Sequence, residues 1–324
     1  MLTERRSTLR PAEYPEFLAY RDAIRHSYWL HTEYNLTEDV NDYRVGVREA
    51  ERQVLTRALL AIAQVEVAVK TFWGDLYRKF PKPEVGAVGY TFAESEVRHQ
   101  DAYAHLLELL GLTDAFARLH EAPALGERLA VLDAHLVPVR QDGRDDAFSV
   151  ALFSAFVEHV SLFGQFLILK AFNQATGRFK GVANIVEATS KEEQIHGMFG
   201  YKLVETLRRE RPEWFGAAFS ARLRAACVDA ERAERAILRW ICEAGALPFL
   251  PLAQLEAFMQ ARFNGALVAL GEAPLWEVDP ALLAPTRWFE EELLSSKQVD
   301  FFHKRPTAYA KKTRPITADD LFAV

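Results

Sequence analysis

Glu96-Val97-Arg98-His99, with Tyr103 one helical turn further on, decides how this 324-residue chain is read, and it has an echo at Glu193-Gln194-Ile195-His196. Side chains three residues apart share one face of a helix, so each Glu-x-x-His stretch sets a carboxylate beside an imidazole. No other Glu-x-x-His occurs in the sequence. About one such pair is expected by chance at this Glu and His content, so a single copy would say little. The setting of the two copies says more.

Working outward, Glu96 and His99 lie on the stripe Phe92, Glu96, His99, Tyr103, Leu106, Leu110 of a helix expected from about Glu84 to Leu110, ended by Gly111. Three polar residues in succession occupy a face that otherwise reads as core. The preceding helix is expected to run unbroken from about Val47 to Lys79, stopped by Pro81 and Pro83. Its stripe is Leu55, Leu59, Ile62, Glu66, Val69, Trp73, with Glu66 where an aliphatic residue belongs. Further on, Asp145 or Asp146 is expected to cap a long helix reaching Thr176 before Gly177, with Glu158 on the stripe Ala151, Ala155, Glu158, Leu162, Gln165, Leu169. The second pair lies on a helix from about Gly181 to Glu210 that also carries Val186, Thr189, Gly200 and Leu203 on its inner face, closed by Pro212. A first helix is expected over Pro11 to Leu30, followed by an acidic connector from His31 to Arg44. Shorter helices fall between Thr113 and Val139, and others around Glu213–Glu243 and Pro251–Leu270. Strand-like alternation is nowhere sustained and no repeat of solenoid length occurs, so the expected fold is an all-α bundle.

Composition narrows the class. Half the residues are apolar, enough for a sizeable core, and the net charge of -6 without a long basic run argues against nucleic acid. Cys227 and Cys242 are too few for a disulfide framework and fit a reducing compartment. The N-terminus lacks the apolar core of a signal peptide. The run Val54–Val69, taken as the most apolar, is broken by Arg57, Gln64 and Glu66, so a cytoplasmic protein without a membrane span is expected.

Four long helices thus each place a glutamate on an apolar stripe: Glu66, Glu96, Glu158 and Glu193. Burying unpaired carboxylates costs several kcal/mol each, and no matching set of Lys or Arg lies on these stripes. Two divalent metal ions would balance four carboxylates and two neutral imidazoles. Oxygen and imidazole ligands suit iron or manganese, whereas zinc would more often recruit thiolate. Two single glutamates plus two Glu-x-x-His pairs is the ligand pattern of ferritin-like dimetal carboxylate proteins. Tyr103 lies on the same face as His99; it is either a core tyrosine bonded to a ligand carboxylate or a redox tyrosine.

With these residues in place, the chain resembles the small, radical-generating subunit of class I ribonucleotide reductase, over most of its length from Tyr14 onward. Glu96-x-x-His99-x-x-x-Tyr103 is similar to that family's motif of ligand pair and radical tyrosine, and Glu66, Glu158, Glu193 and His196 match the remaining ligands. Trp29 falls where the family has its radical-relay tryptophan. Val299 to Tyr309 resembles the start of the family's tail, with Tyr309 matching the tyrosine that hands the radical to the large subunit. Asp319, Asp320, Leu321 and Phe322 resemble the docking peptide. The resemblance implies a ferritin-like bundle with extra helices over residues 1–300, and a flexible C-terminal tail, 301–324, that docks the large catalytic subunit. It also implies a homodimer and a Fe/Fe, Mn/Fe or Mn/Mn pair activated by dioxygen. The oxidant would be kept on Tyr103 or on the metals and passed through Trp29 and Tyr309, so that the large subunit reduces ribonucleoside diphosphates.

Three features depart from the family pattern. Glu66 stands where many tyrosyl-radical members have Asp, and Glu192 stands where the family has the Asp that links the relay tryptophan to the metal-bound histidine. The spacing from Glu158 to Glu193 is about one residue long, which calls for a bulge in one helix. Three rival readings remain at this level. A related oxidase acting on a lipid-like ligand lacks such a tail and has a valine–tyrosine crosslink, where this chain has Ala68 and Phe153. A ferritin-type iron-binding bundle would be shorter and shell-forming. A metal-free scaffold would leave four carboxylates buried without counter-ions. Trp73 and the other tryptophans outside the relay read as core or anchoring residues, and the Lys311–Arg314 cluster as a solvated patch.

Overall fold

A computed structural model describes residues 1–294 except 68, 137–142, 244 and 246. Tyr309, Asp319–Phe322, the Lys311–Arg314 cluster and Ala68 therefore lie outside the described residues. The major helices are α1 (Leu18–His26), α2 (Glu49–Glu66), α3 (Pro83–Leu110), α4 (Pro123–Leu136), α5 (Gly143–Thr176), α6 (Lys180–Glu210), α7 (Ala217–Cys242), α8 (Leu252–Ala269) and α9 (Arg287–Leu294). Among the described residues there is no strand, and the all-α expectation holds.

Four of these helices close a ring around the core: α2 packs on α3 and on the second half of α5, while α6 packs on α5 and on α3. Each carries one of the four stripe glutamates. The remaining helices lean on this ring: α1 on α3 and α6, α7 on α2 and α4, α8 on α7 and α5, and α9 on α6. The stretch Gly143–Thr176 is apolar and long enough to cross a membrane, and it outdoes Val54–Val69 in this. Yet 94% of its most apolar window is buried inside the bundle, the pattern of a helix packed on all sides.

Local chemistry sets the ends. Pro83 opens α3 at a position whose N–H would be unpaired anyway. Gly111, at φ 72°, closes it in the left-handed conformation that favours glycine. Asp39 caps α6 from outside: its carboxylate accepts the backbone N–H of Gly181 at 3.2 Å and of Val182 at 2.8 Å. The acidic connector expected over His31–Arg44 therefore has work to do, and it contains the short helix Thr37–Asn41.

Several expectations are corrected. The first helix is one 3-10 turn, Pro15–Phe17, followed by α1, and it ends at Ser27, whose hydroxyl bonds back to the carbonyls of Ala23 and Ile24. Helix α5 starts at Gly143, so Asp145 and Asp146 stand in its first turn and do not cap it. The helix expected to run from Val47 to Lys79 stops at Glu66 and resumes as Val69–Gly74 and Leu76–Lys79. Lys70 Nζ takes up the carbonyls at that break, Glu66 O at 3.3 Å and Val67 O at 2.8 Å. The redirected segment then lies tightly on α3: a Cβ at Gly89 would come within 2.6 Å of the Trp73 carbonyl.

Helix α5 is not uniform. Its middle, Phe153–Ser161, is a nine-residue π-helix that includes Glu158. Its last residues, His159–Ser161, fall between Glu158 and Glu193, the interval in which the resemblance leads us to expect a bulge. A π-helix is wider than an α-helix, and α6 makes room with glycines. A Cβ at Gly200 would fall 1.7 Å from Ser154 Oγ, and one at Gly197 would fall 3.1 Å from His159 Nδ1. At its end the π-helix is tied to a buried ion pair. Ser161 Oγ donates to Glu234 Oε1 at 2.8 Å, and Arg128 Nε lies 3.0 Å from the same oxygen.

Candidate metal centre

The four stripe glutamates and both histidines converge at the middle of the ring. Glu66, Glu96, His99 and Glu193 form one group of four ligands, and Glu96, Glu158, Glu193 and His196 form a second. In each group the donor atoms lie within 4.8 Å of one another. Glu96 and Glu193 belong to both. Every member is at most 2% exposed, so bulk water does not solvate the charges.

Both imidazoles turn Nδ1 inward. His99 Nδ1 lies 3.1 Å from Glu193 Oε1 and 3.3 Å from Glu96 Oε2. His196 Nδ1 lies 2.9 Å from Glu96 Oε1, 3.1 Å from Glu158 Oε2 and 3.3 Å from Glu193 Oε2. The Nε2 atoms turn outward to fixed partners, His99 to Glu192 Oε2 at 2.8 Å and His196 to Ser95 Oγ at 3.0 Å. A carboxylate at Nε2 fixes the tautomer with its proton there, leaving the Nδ1 lone pair for a metal.

The donor set fits a pair of metal ions on three observations. Both oxygens of Glu66, both of Glu96, and His99 Nδ1 are buried without a hydrogen-bond partner, although several lie close to one another. Such orphaned groups cost free energy unless something else binds them. No Lys or Arg ion-pairs with Glu66, Glu96, Glu158 or Glu193 among the described residues. The ligands are oxygen and imidazole nitrogen throughout, and both cysteines sit on α7 away from the group, which suits iron or manganese.

In protein alone, protons occupy this cage. Burial raises Glu66 and Glu158 well above the ordinary carboxylate range, with the neighbouring carboxylates adding to it. Burial alone would lower His99 and His196, but the facing carboxylates overcome it and raise both. Burial opposes ionisation of Glu193 too, yet the His196 and His99 imidazoles that face it hold it far below the usual value.

Tyr103 is 1% exposed, and its hydroxyl faces Thr189 without reaching a proper hydrogen bond to it or to any ligand carboxylate. Burial and then the Glu66 charge push its phenol far above the ordinary value. A surface pocket lined by Ala63, Val67, Gln100 and Ala104 leads in to Glu66 and Tyr103.

Trp29 lies in the chain just past α1, 5% exposed, with its ring stacked on His99 at 5.9 Å between centroids and 19° between planes. Its indole Nε1 is buried without a partner, so it makes no hydrogen bond to Glu192. The two are joined through Arg98, which sequence reading passed over inside the Glu-x-x-His motif. Arg98 holds Glu192 with two bonds of 3.2 Å and donates to the Trp29 carbonyl at 3.3 Å. Trp73 is core, as expected, but its Nε1 also donates to Glu158 Oε1 at 3.2 Å. Trp73 lies on the same stripe as Glu66, but its bond to Glu158 joins two different helices and follows from their packing. Ser95 immediately precedes Glu96 and Arg98 immediately precedes His99, both off the stripe Phe92, Glu96, His99, Tyr103, so the periodicity that marks the ligands does not mark them. Phe163 and Phe166, which follow the π-helix, are fully buried.

A ferritin-like bundle with a paired carboxylate–imidazole donor set at its centre has the architecture of the dimetal-carboxylate proteins. Residues 6–282 match the family model for the ribonucleotide reductase small chain. The chain therefore belongs to the ribonucleotide reductase small-chain family, and its activity class is oxidoreductase. It is 27% identical over 329 residues to the probable ribonucleoside-diphosphate reductase small subunit 048L of Invertebrate iridescent virus 3, covering 94% of this chain and 85% of that one. Among solved structures it shares its fold with the ribonucleotide reductase R2 subunit of Clostridium botulinum, at TM-score 0.75 and 14% identity over 87% of this chain and 89% of that one. It also shares it with the dimanganese(II) form of NrdF from Streptococcus sanguinis, at TM-score 0.66 and 16% identity over 87% and 99%.

Proposed function

We propose that this small subunit holds two metal ions with Glu66, Glu96, His99, Glu158, Glu193 and His196, and uses them to generate the oxidant for reduction of ribonucleoside diphosphates on a separate large subunit. The observation that carries this reading is the pair of interlocking ligand groups sharing Glu96 and Glu193. When bound, a Fe/Fe, Mn/Fe or Mn/Mn pair supplies one-electron oxidising power drawn from dioxygen. The protein's own residues do the rest. Glu96 and Glu193, which belong to both ligand groups, would help to hold both ions. Glu192 and Ser95 hold the histidine tautomers. Tyr103 is itself only 1% exposed, which limits the contact of a radical there with bulk water.

Tyr103 is the proposed protein store of the oxidant, in reach of Glu66, and Trp29 is the first relay residue outward, stacked on His99. An electron entering from the large subunit passes Tyr309 and then Trp29. With Trp29 Nε1 making no hydrogen bond to Glu192, the Arg98 bridge takes the place of the direct indole–carboxylate link. Residues 301–324 are the proposed docking tail, attached to a dimetal domain of residues 1–300. The working unit is a homodimer in the cytoplasm, where the unpaired Cys227 and Cys242 stay reduced.

The test is electron paramagnetic resonance on protein loaded with iron, manganese or both and exposed to oxygen, with metal content measured on the same samples. A radical signal present in the wild type and absent in Tyr103→Phe assigns the store to Tyr103. A metal-centred signal unaffected by that change assigns it to the metals. Failure of every loading to give two bound ions per chain removes the reading.

A further inference from the structure

Glu158 is the one proposed ligand carried by a π-helix, so its carboxylate is only as well placed as that irregular turn. The carbonyl of the next residue, His159, accepts two bonds from a single guanidinium: Arg262 of α8 donates from Nε at 2.8 Å and from Nη2 at 2.6 Å. The same group reaches Glu290 Oε1 on α9 at 2.7 Å. At 3.5 Å it also touches Gln194 Oε1, between Glu193 and His196 on α6. Its flat face lies over the Phe163 ring, 3.6 Å from the centroid, and Arg262 is 5% exposed. One buried side chain thus ties the π-helix to the helix bearing the second Glu-x-x-His pair.

We propose that Arg262 is a positioning residue of the metal centre, locking Phe153–Ser161 in its π register and so setting Glu158 against His196 and Glu193. This rests on the metal-site reading above. The physical reason lies in the acceptor. A carbonyl oxygen has two lone pairs, and the guanidinium occupies both. None remains to draw the N–H of Phe163 into an ordinary α-turn, which would rotate Glu158 away from the cluster. A planar fork stacked on an aromatic ring does this in fixed geometry, whereas a lysine supplies a point charge and at most one bond in that direction. The tether from Ser161 to Glu234 holds a side chain and leaves the backbone register free.

The test uses Arg262→Met, which keeps the stem, Arg262→Lys, and Glu290→Gln, which leaves the arginine in place but loosens its anchor. Manganese(II) titration followed by paramagnetic resonance is expected to show two coupled ions in the wild type. In Arg262→Met we expect one ion held as in the wild type and one weakened about 10- to 100-fold, the range for loss of a group that orients a ligand. Arg262→Lys and Glu290→Gln are expected to fall between. In metal-free protein, amide hydrogen exchange over residues 153–165 is expected to quicken in Arg262→Met. Two coupled ions with unchanged affinity, or unchanged exchange in that segment, overturns the proposal. So does equal weakening of both ions. Should Arg262→Met not fold, an unaltered second ion in both other variants overturns it as well. A wild type that binds no metal fails the metal-site reading, and the exchange comparison still judges the register lock.

Discussion

Nε2 of His99 lies 2.8 Å from Oε2 of Glu192, and this one bond turns the other ring nitrogen toward the carboxylate cluster. Arg98 grips both oxygens of Glu192 from the far side. Glu192→Ala is therefore expected to do two things. It frees the His99 ring and weakens the Glu66/His99 ion about 10- to 100-fold, and it leaves Arg98 with the half-exposed Glu94, 3.1 Å away, as its one carboxylate partner, at a cost below the ~3–5 kcal/mol of a buried charge with no partner at all. Adding Arg98→Met should recover much of the stability and none of the metal affinity. Thermal unfolding and metal titration on both variants check this; joint recovery of both quantities would falsify the role given to the bond.

The two ligand groups share Glu96 and Glu193 but not Glu66 or Glu158. Glu66→Ala is expected to leave one bound ion per chain, held by the second group. Glu96→Ala is expected to weaken both ions. Elemental analysis after gel filtration distinguishes one, two and none; equal loss from Glu66→Ala and Glu96→Ala would mean that the site binds as a single unit.

Metal uptake should release protons. In the protein alone Glu66, Glu158, His99 and His196 all hold protons to higher pH than usual, and a metal can bind only their deprotonated forms. Affinity is then expected to fall as pH drops, each proton displaced adding a factor of about ten per pH unit. Calorimetry in buffers of different ionisation enthalpy counts the protons. A heat independent of buffer contradicts the expectation.

Gly200 lets α6 approach the π-helix to a distance no side chain allows, since a Cβ there would fall 1.7 Å from Ser154 Oγ and 2.1 Å from Ser154 Cβ. Gly200→Ala should destabilise the protein by at least the ~1–3 kcal/mol typical of overpacking, and shift Glu158. Ser154→Gly in the same chain should restore both stability and two-metal binding. If Gly200→Ala alone unfolds no earlier than wild type, the close packing has been misjudged.

By itself the sequence determined the donor set. Glu66, Glu96, Glu158 and Glu193 announce themselves because carboxylates on apolar stripes violate helix periodicity, a signal local in sequence. It fixed the helix ends at Gly111 and Gly177, where only glycine accepts the left-handed backbone easily. The irregular turn near Glu158 was expected only from the resemblance, whose usual Glu158-to-Glu193 spacing is about one residue shorter. The tertiary structure alone decided where that turn falls and that the Val47–Lys79 helix breaks after Glu66. A helix's own periodicity does not record which carbonyls are captured by Lys70 or Arg262 from elsewhere. It alone joined Arg98 to Glu192 and Trp73 to Glu158, and left Trp29 Nε1 apart from Glu192. Those contacts cross between helices far apart in the chain, and their geometry follows from packing, which no spacing along one helix encodes.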